Sequence, residues 1–286
     1  MKPAPTLAVF GANGQLGHAL ERLGEQRGIT VFSFDRHTAD ITDITAITEA
    51  LERAPGSLIV NAAAYTAVDK AESEEALAFA INRDGAANVA KAADRLGLPL
   101  IHISTDYVFD GSKKTAYLET DPVAPLSVYG RSKEAGERAV HEHCPYAIIL
   151  RTSWVYGLEG SNFVKTMLRL GAERDELRIV ADQHGSPTFA DDLAAAILTI
   201  AGKYEPGLFH LTGSGETTWF EFAEAIFEGR VSPRLHAITT DGFPTAAHRP
   251  ANSVLNCTRA KEVFGVELPH WRDGLTRMLK ALGEHA

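Results

Sequence analysis

The sequence predicts an α/β chain: a doubly wound parallel sheet with a smaller C-terminal α/β portion for substrate. Three observations predict it. A glycine turn at Gly11, Gly14 and Gly17 follows directly on an apolar run. Apolar runs of four or five residues then alternate with helical stretches up to about residue 150, the pattern of repeated β-then-α units. Tyr129 and Lys133 stand four residues apart, 112 residues beyond Gly17, where one helix face would carry both.

The first strand is Leu7-Ala8-Val9-Phe10, apolar throughout, as expected of a strand covered on both faces. Gly11-Ala12-Asn13-Gly14-Gln15-Leu16-Gly17 comes next, and Leu16, Ala19, Leu20 and Leu23 then recur at helical spacing. Gly11 permits a tight turn, Gly14 lets a pyrophosphate approach the backbone, and Gly17 lets the helix pack closely on the sheet. Free amides and the positive end of the helix dipole suit an anionic phosphate there. A glycine-rich loop without purpose is the competing reading, and the placement between strand and helix speaks against it.

The second strand, residues 30–34, ends at Asp35-Arg36, 18 residues after Gly17. An acid there hydrogen-bonds an adenosine ribose, and a neighbouring arginine accommodates a 2′-phosphate. Both are present, so the sequence leaves NADH and NADPH open. Asp40 and Ile41 follow where the adenine edge would lie, although Asp40 and Asp43 are equally readable as caps of a helix from Ile44 to Leu51. Residues 58–61, 100–104 and 147–151 read as further strands, and residues 74–96 as a long alanine-rich helix. These signals place a Rossmann-type dinucleotide-binding domain over residues 1–150. Residues 151–286, richer in aromatics, Gly and Pro, read as a mainly substrate-binding portion that could return segments to the first domain.

Composition narrows the class. A chain of 286 residues suffices for one large domain with an annex. The net charge of −9, without a Lys/Arg cluster, argues against a nucleic-acid partner. Cys144 and Cys257 suit a reducing cytoplasm better than a disulfide scaffold. No apolar run reaches the roughly 20 residues that span a bilayer, and Met1-Lys2-Pro3 runs into the first strand with no room for a signal peptide. His102 and His184 have no second ligand at a coordinating spacing, so no metal site is read from them.

The chemistry sits at the strand ending in Ser104, which runs into Thr105-Asp106-Tyr107-Val108-Phe109-Asp110-Gly111. Hydroxyls at a strand's carboxyl end lie where open α/β sheets bind ligands. A free phenol titrates near 10 and is a sluggish acid at neutral pH, so a lysine ammonium one turn away is expected to lower it. Hydride would pass to a ketone carbon, Tyr129 would donate a proton to its oxygen, and Thr105 or Ser104 would orient that oxygen. Lys133 would also hold a cofactor ribose.

With these motifs in hand, the chain resembles the extended short-chain dehydrogenase/reductases that act on nucleotide sugars. The resemblance spans nearly the whole sequence. It rests on residues 11–17, 61–72, 104–111, 128–133, 151–156, 162–163, 182–188 and 249–253; those after Tyr129 match the 4-keto-sugar reductases. It implies reduction of dTDP-4-dehydro-L-rhamnose to dTDP-L-rhamnose with NADPH or NADH. The implied catalytic set is Thr105, Tyr129 and Lys133. The cofactor would be lined by Gly11, Asn13, Gly14, Gln15, Leu16, Gly17, Asp35, Arg36, Asp40, Ile41, Ala62, Ala63, Ala64, Tyr65, Tyr129 and Lys133. Thr105, Asp106, Tyr129 and Trp154 would meet the sugar, with Asn162, Arg249 and Asn252 around the nucleotide. Some bacterial members bind magnesium through acids at a homodimer interface; here no matching acid cluster is found, and Gln15 offers no carboxylate.

Several residues have plainer readings. Trp154 suits an apolar core, Asp106 caps a turn, Arg249 fits a surface turn nearly as well as a phosphate clamp, and Trp219, Phe220 and Phe222 form a C-terminal core. Two rival functions share the cradle. An epimerase or dehydratase would keep the Tyr/Lys pair, but a dehydratase needs an added acid after Thr105-Asp106, where Tyr107 stands, and the chain is short for an epimerase. A non-catalytic regulatory relative would often lose Tyr or Lys, and both are present.

Overall fold

The computed structural model describes residues 6–230 and 233–283. Its strands are β1 Thr6–Phe10, β2 Thr30–Phe34, β3 Leu58–Asn61, β4 Leu100–Thr105, β5 Ile148–Thr152, β6 Val155–Tyr156, β7 Glu176–Val180, β8 His184–Gly185, β9 Thr188–Phe189, β10 Gly207–His210, β11 Thr217–Thr218 and β12 Arg234–Ile238. The helices are α1 Gln15–Gln26, α2 Ile44–Arg53, α3 Val68–Ala71, α4 Glu75–Phe79, α5 Ala86–Leu96, α6 Val128–His143, α7 Phe163–Glu173, α8 Ala190–Ala201, α9 Trp219–Phe227, α10 Thr258–Phe264 and α11 Trp271–Ala281.

Six strands form one parallel sheet in the order β10-β5-β4-β3-β1-β2. The chain leaves β1 for β2 on one side and returns to β3 on the other, so a crevice opens at the carboxyl ends of β1 and β3, where such sheets bind ligands. Both faces are covered. Leu7, Val9, Leu20, Leu193 and Ile197 pack on one side, with α1 and α8; Ala8, Phe10, Ile47, Val89 and Val140 pack on the other, with α2, α5 and α6. The near-continuous apolar strands of the sequence follow from this double burial. A third core around Tyr156, Val164, Phe222, Ile226 and Trp271 lies beneath α7, α9 and α11.

The expected helix over residues 74–96 is present but not uniform. Residues 80–85 are wound as a π-helix between α4 and α5, a local widening of the helix that often marks a functional region. There Asn82, 1% exposed, accepts from the Tyr65 amide at 2.8 Å and donates to Ser132 Oγ at 2.9 Å. Asp43 is the N-cap of α2, accepting from the Thr45 amide, and Asp40 accepts from the Thr42 amide. No helix among the described residues is long and apolar enough to cross a membrane.

Candidate active site

The glycine turn closes the crevice on one side. Gly11 has φ +84°, and a Cβ there would stand 2.5 Å from the Ala63 amide nitrogen, so only glycine lets the turn rest on residues 62–63. A Cβ on Gly17 would strike the Ala12 carbonyl, whereas one on Gly14 would meet only the Gly11 carbonyl, at 3.2 Å; the space over Gly14 stays open for an approaching group. Helix α1 starts there with no side-chain cap and no acid in its first turn. Its amides and dipole are left for an anion. Leu16 packs into the core beneath. Gln15 turns away, donating to the Val155 carbonyl at 3.2 Å and accepting from Asn162 Nδ2 at 3.0 Å.

At the end of β2, Asp35 accepts from Asn13 Nδ2 at 2.7 Å and from the His37 and Thr38 amides and the Thr38 hydroxyl. The Thr38 hydroxyl, foremost, holds its carboxyl below the usual range. Arg36 is exposed beside it. Ala62, Ala63, Ala64 and Tyr65 line the opposite wall, half-buried, and the Tyr65 hydroxyl donates to Glu74 at 2.6 Å.

The catalytic candidates converge where β4 meets α6. Helix α6 is capped by Ser127, which accepts from the Gly130 amide at 3.1 Å, while Glu72 accepts from the Val128 amide at 2.8 Å. A Cβ at Gly130 would overlap the Tyr107 carbonyl, so its absence lets α6 settle against the turn after β4. The Tyr129 ring lies edge-on to Tyr107, centroids 5.6 Å apart. Thr105 donates to Asp106 Oδ1 at 3.0 Å. Ser104 is committed to Glu137, donating to it at 2.5 Å, whereas Thr105 is the hydroxyl that bonds with Tyr129. Lys133, 2% exposed, donates to the Ile103 carbonyl at 2.7 Å.

The electrostatics correct one expectation. Burial pushes the Tyr129 phenol up to about 12, Thr105 opposes this by hydrogen bonding, and the Asp106 charge adds to the rise. Lys133 is not among the groups that act on the phenol. Burial instead lowers Lys133 itself to about 8, against the attraction of Glu137. Burial in the low-dielectric cleft thus sets the direction, and Tyr129 is a protonated acid at neutral pH. Asp106, 1% exposed, is lifted by burial to about 7 against the hydroxyls of Ser253 and Thr105. Its Oδ2, itself buried, has no hydrogen-bond partner among the described residues, an unsatisfied polar atom.

The outer candidates behave differently. Trp154 has φ +47°, the positive-φ non-glycine of the described residues, and its indole stacks on Trp219 at 3.5 Å and 6°. It is half-buried, not a core residue, and Trp219 is a partner that the sequence had assigned to the core with Phe222. Asn162 is spent as the cap of α7, accepting from the Lys165 amide at 3.1 Å while donating to Gln15 and the Gly157 carbonyl. Asn252 donates to the Lys113 and Thr115 carbonyls and accepts from the Val254 amide. Both asparagines anchor loops here through these bonds. Arg249 grips Asp69 at 2.7 and 3.1 Å and holds that carboxyl below the usual range, so an incoming phosphate would compete with Asp69. His184 is exposed, and no group of three His, Cys, Asp or Glu gathers to hold a metal among the described residues.

Sequence reasoning missed Asn82, Glu137 and Asp69. Glu137 carried a usable signal, lying four residues past Lys133 on one helical face; Asp69 and Asn82 gave none, since their partners are distant in sequence.

Residues 5–284 match the RmlD substrate binding domain family. The chain is 46% identical to a dTDP-4-dehydrorhamnose reductase of Sinorhizobium fredii, covering 96% of this chain and 97% of the relative. It is 44% identical to one of Shigella flexneri, with 96% and 97% covered. A crystal structure of the dTDP-4-dehydrorhamnose reductase of Bacillus anthracis in complex with NADP superimposes with a TM-score of 0.93 at 40% identity, over 97% of this chain and 99% of that one. The glycine cradle, the Thr105–Tyr129–Lys133 cluster and these full-length matches lead to one conclusion: the chain belongs to the RmlD family, among the dTDP-4-dehydrorhamnose reductases.

Proposed function

We infer that the protein reduces the 4-keto group of dTDP-4-dehydro-L-rhamnose to give dTDP-L-rhamnose, using NADPH or NADH. The observation that carries this is the convergence of Thr105, Tyr129 and Lys133 beside an uncapped glycine turn at the sheet's switch point, in a chain so similar to named reductases along its length. The nicotinamide, when bound, supplies the hydride. Tyr129 donates its phenolic proton to the oxygen that becomes the alcohol. A phenol held at about 12 is wholly protonated at neutral pH, and a nascent alkoxide is basic enough to take its proton. Thr105 orients the same oxygen. Lys133 keeps its charge beside the cofactor ribose, and the open acceptor of Asp106 suits a sugar hydroxyl.

Gly11, Asn13, Gly14, Leu16, Gly17, Asp35, Arg36, Asp40, Ile41 and residues 62–65 form the cofactor wall in this reading. Residues 1–150 carry the dinucleotide, and the remainder supplies the substrate side while lending α8 and β10 to the first body. Trp154 closes over the sugar, and Arg249 exchanges Asp69 for the diphosphate. A homodimer in the cytoplasm completes the reading by resemblance, and sedimentation would test it. The test of activity is direct: mix the protein with dTDP-4-dehydro-L-rhamnose and either cofactor, and follow loss of nicotinamide absorbance. Turnover there but not with a UDP-4-keto sugar is expected. No oxidation of either cofactor would overturn the inference.

A further inference from the structure

Trp154 is held in a backbone conformation that its side chain resists. Among the described residues it is the non-glycine with positive φ, +47°, a region that a bulky residue keeps only where its surroundings impose it. Three bonds impose it here. The Ser153 hydroxyl donates to the Ser186 carbonyl at 2.6 Å, the Thr188 amide donates to the Trp154 carbonyl at 3.2 Å, and Gln15 donates to the Val155 carbonyl at 3.2 Å. The indole lies almost face to face on that of Trp219, centroids 3.5 Å apart at 6°, an overlap that aromatic pairs disfavour when free to slide. Backbone and ring are both set by what surrounds them.

The seat of that indole is fixed from several directions. Thr218 and Glu221 form a capping box at the start of α9: the Glu221 amide donates to the Thr218 hydroxyl at 3.1 Å, and the Thr218 amide donates to the Glu221 carboxylate at 3.0 Å. This fixes the first helical residue, which is Trp219. Phe163, the first residue of α7, buttresses Trp219 at 4.7 Å, and Asn162 caps that helix. Thr217 pairs with Gly185 across β11 and β8. A Cβ at Gly185 would stand 2.4 Å from Trp154 Cε2, so its absence makes room for the indole. We propose that Trp219 is a positioning residue for the reduction: its capped and buttressed indole holds Trp154 ready for the sugar before substrate arrives. This rests on the reductase reading above, in which Trp154 meets the sugar.

A purely structural role fits these observations less well. Trp154 and Trp219 are both half-buried, whereas the third core is already filled by Phe222 against Tyr156, Phe163 and Trp271. A pair that served burial alone would need no strained backbone. In binding the strain has a use. A side chain already in its bound conformation spares the substrate the selection of a minor conformer, and apparent affinity scales with the fraction of protein that is competent. Without the Trp219 ring to lie on, Trp154 spreads over other conformers and that fraction falls.

The test uses variants of the full chain and two readouts. The chain has three tryptophans, so three indole N–H resonances report separately, each assigned by its loss on substitution. In Trp219→Leu the Michaelis constant for dTDP-4-dehydro-L-rhamnose should rise about tenfold, with turnover at saturation and NADPH affinity within about twofold of wild type. ¹⁵N relaxation should show the Trp154 indole newly mobile in that variant. Trp219→Phe keeps a ring against Trp154 and much of the volume, so it should recover most of the affinity, and it carries the test if the leucine variant does not fold. In a Trp154→Ala background the change at Trp219 should add nothing, because it acts through a ring no longer there. Gly185→Ala drives a methyl into the Trp154 ring with Trp219 intact, and should raise the Michaelis constant likewise. Equal effects of the Trp219 change with and without the Trp154 ring, or a Trp154 indole as rigid as in wild type, would overturn the proposal and leave Trp219 a packing residue. Absence of turnover in the unaltered protein would sink the reductase reading alone, and indole relaxation would still decide whether Trp219 seats Trp154.

Discussion

Asp106→Asn isolates the cost of keeping a carboxyl in the cleft. Burial raises Asp106 from 3.8 to about 7 in the folded protein. A raised folded-state value means that the native state holds the proton more tightly than the unfolded chain. Its contribution is therefore fully present below pH 3.8, is lost as pH rises towards 7, and stays lost above it. At 1.36 kcal/mol for each pH unit, the gap amounts to about 4 kcal/mol at pH 8. Asparagine keeps the acceptor for Thr105 but adds a buried N–H₂, a penalty of about 1–3 kcal/mol that does not vary with pH. The difference in stability between variant and wild type should thus tilt towards the variant by about 4 kcal/mol between pH 4 and pH 8. Chemical denaturation at several pH values measures it, with thermal midpoints moving by roughly 2 °C per kcal/mol in a chain of this size. A difference independent of pH would show that Asp106 is already ionised in the native state, and the account of a dry, unsatisfied carboxyl would be wrong.

Further perturbations probe the rest of the site. Tyr129→Phe keeps the ring and removes the acid, so turnover should fall by about 10²–10⁴-fold with a small change in Michaelis constant; retention of a third of wild-type turnover would mean another proton source. Asp35→Ala should weaken NADH more than NADPH, and Arg36→Ala should weaken NADPH selectively by about one to two decades, since a charge-assisted bond is worth roughly 1.5–3 kcal/mol; fluorescence titrations giving equal effects on both cofactors would refute the assignment. Gly11→Ala places a methyl 2.5 Å from the Ala63 amide at φ +84°, so stability should drop by about 1–3 kcal/mol together with cofactor affinity; an unchanged melting temperature would show that the turn can shift.

Much of the fold was legible in the residues themselves. Strands buried on both faces must be apolar throughout, so β1, β3 and the first residues of β4 and β5 appear as short apolar runs, while edge strand β2 mixes Thr and Ser with its Val and Phe. Glycines at 11 and 17 record a backbone conformation and a close approach that no side chain allows. Tyr129 and Lys133 share a helical face, a local property that spacing alone dictates. The charge state of that pair was not legible. Local chemistry predicts that an ammonium one turn away lowers a phenol, and the folded cleft gives the opposite direction because burial, with the Asp106 charge, disfavours the phenolate. Partner choice was equally hidden: Arg249 finds Asp69, Asn252 the carbonyls near residue 113, Trp154 the indole of Trp219, and Asn82 the backbone of Tyr65. Sequence determines periodicity and backbone permission because these depend on neighbours along the chain. Pairing and dielectric depend on neighbours in space, and the tertiary structure alone decides them.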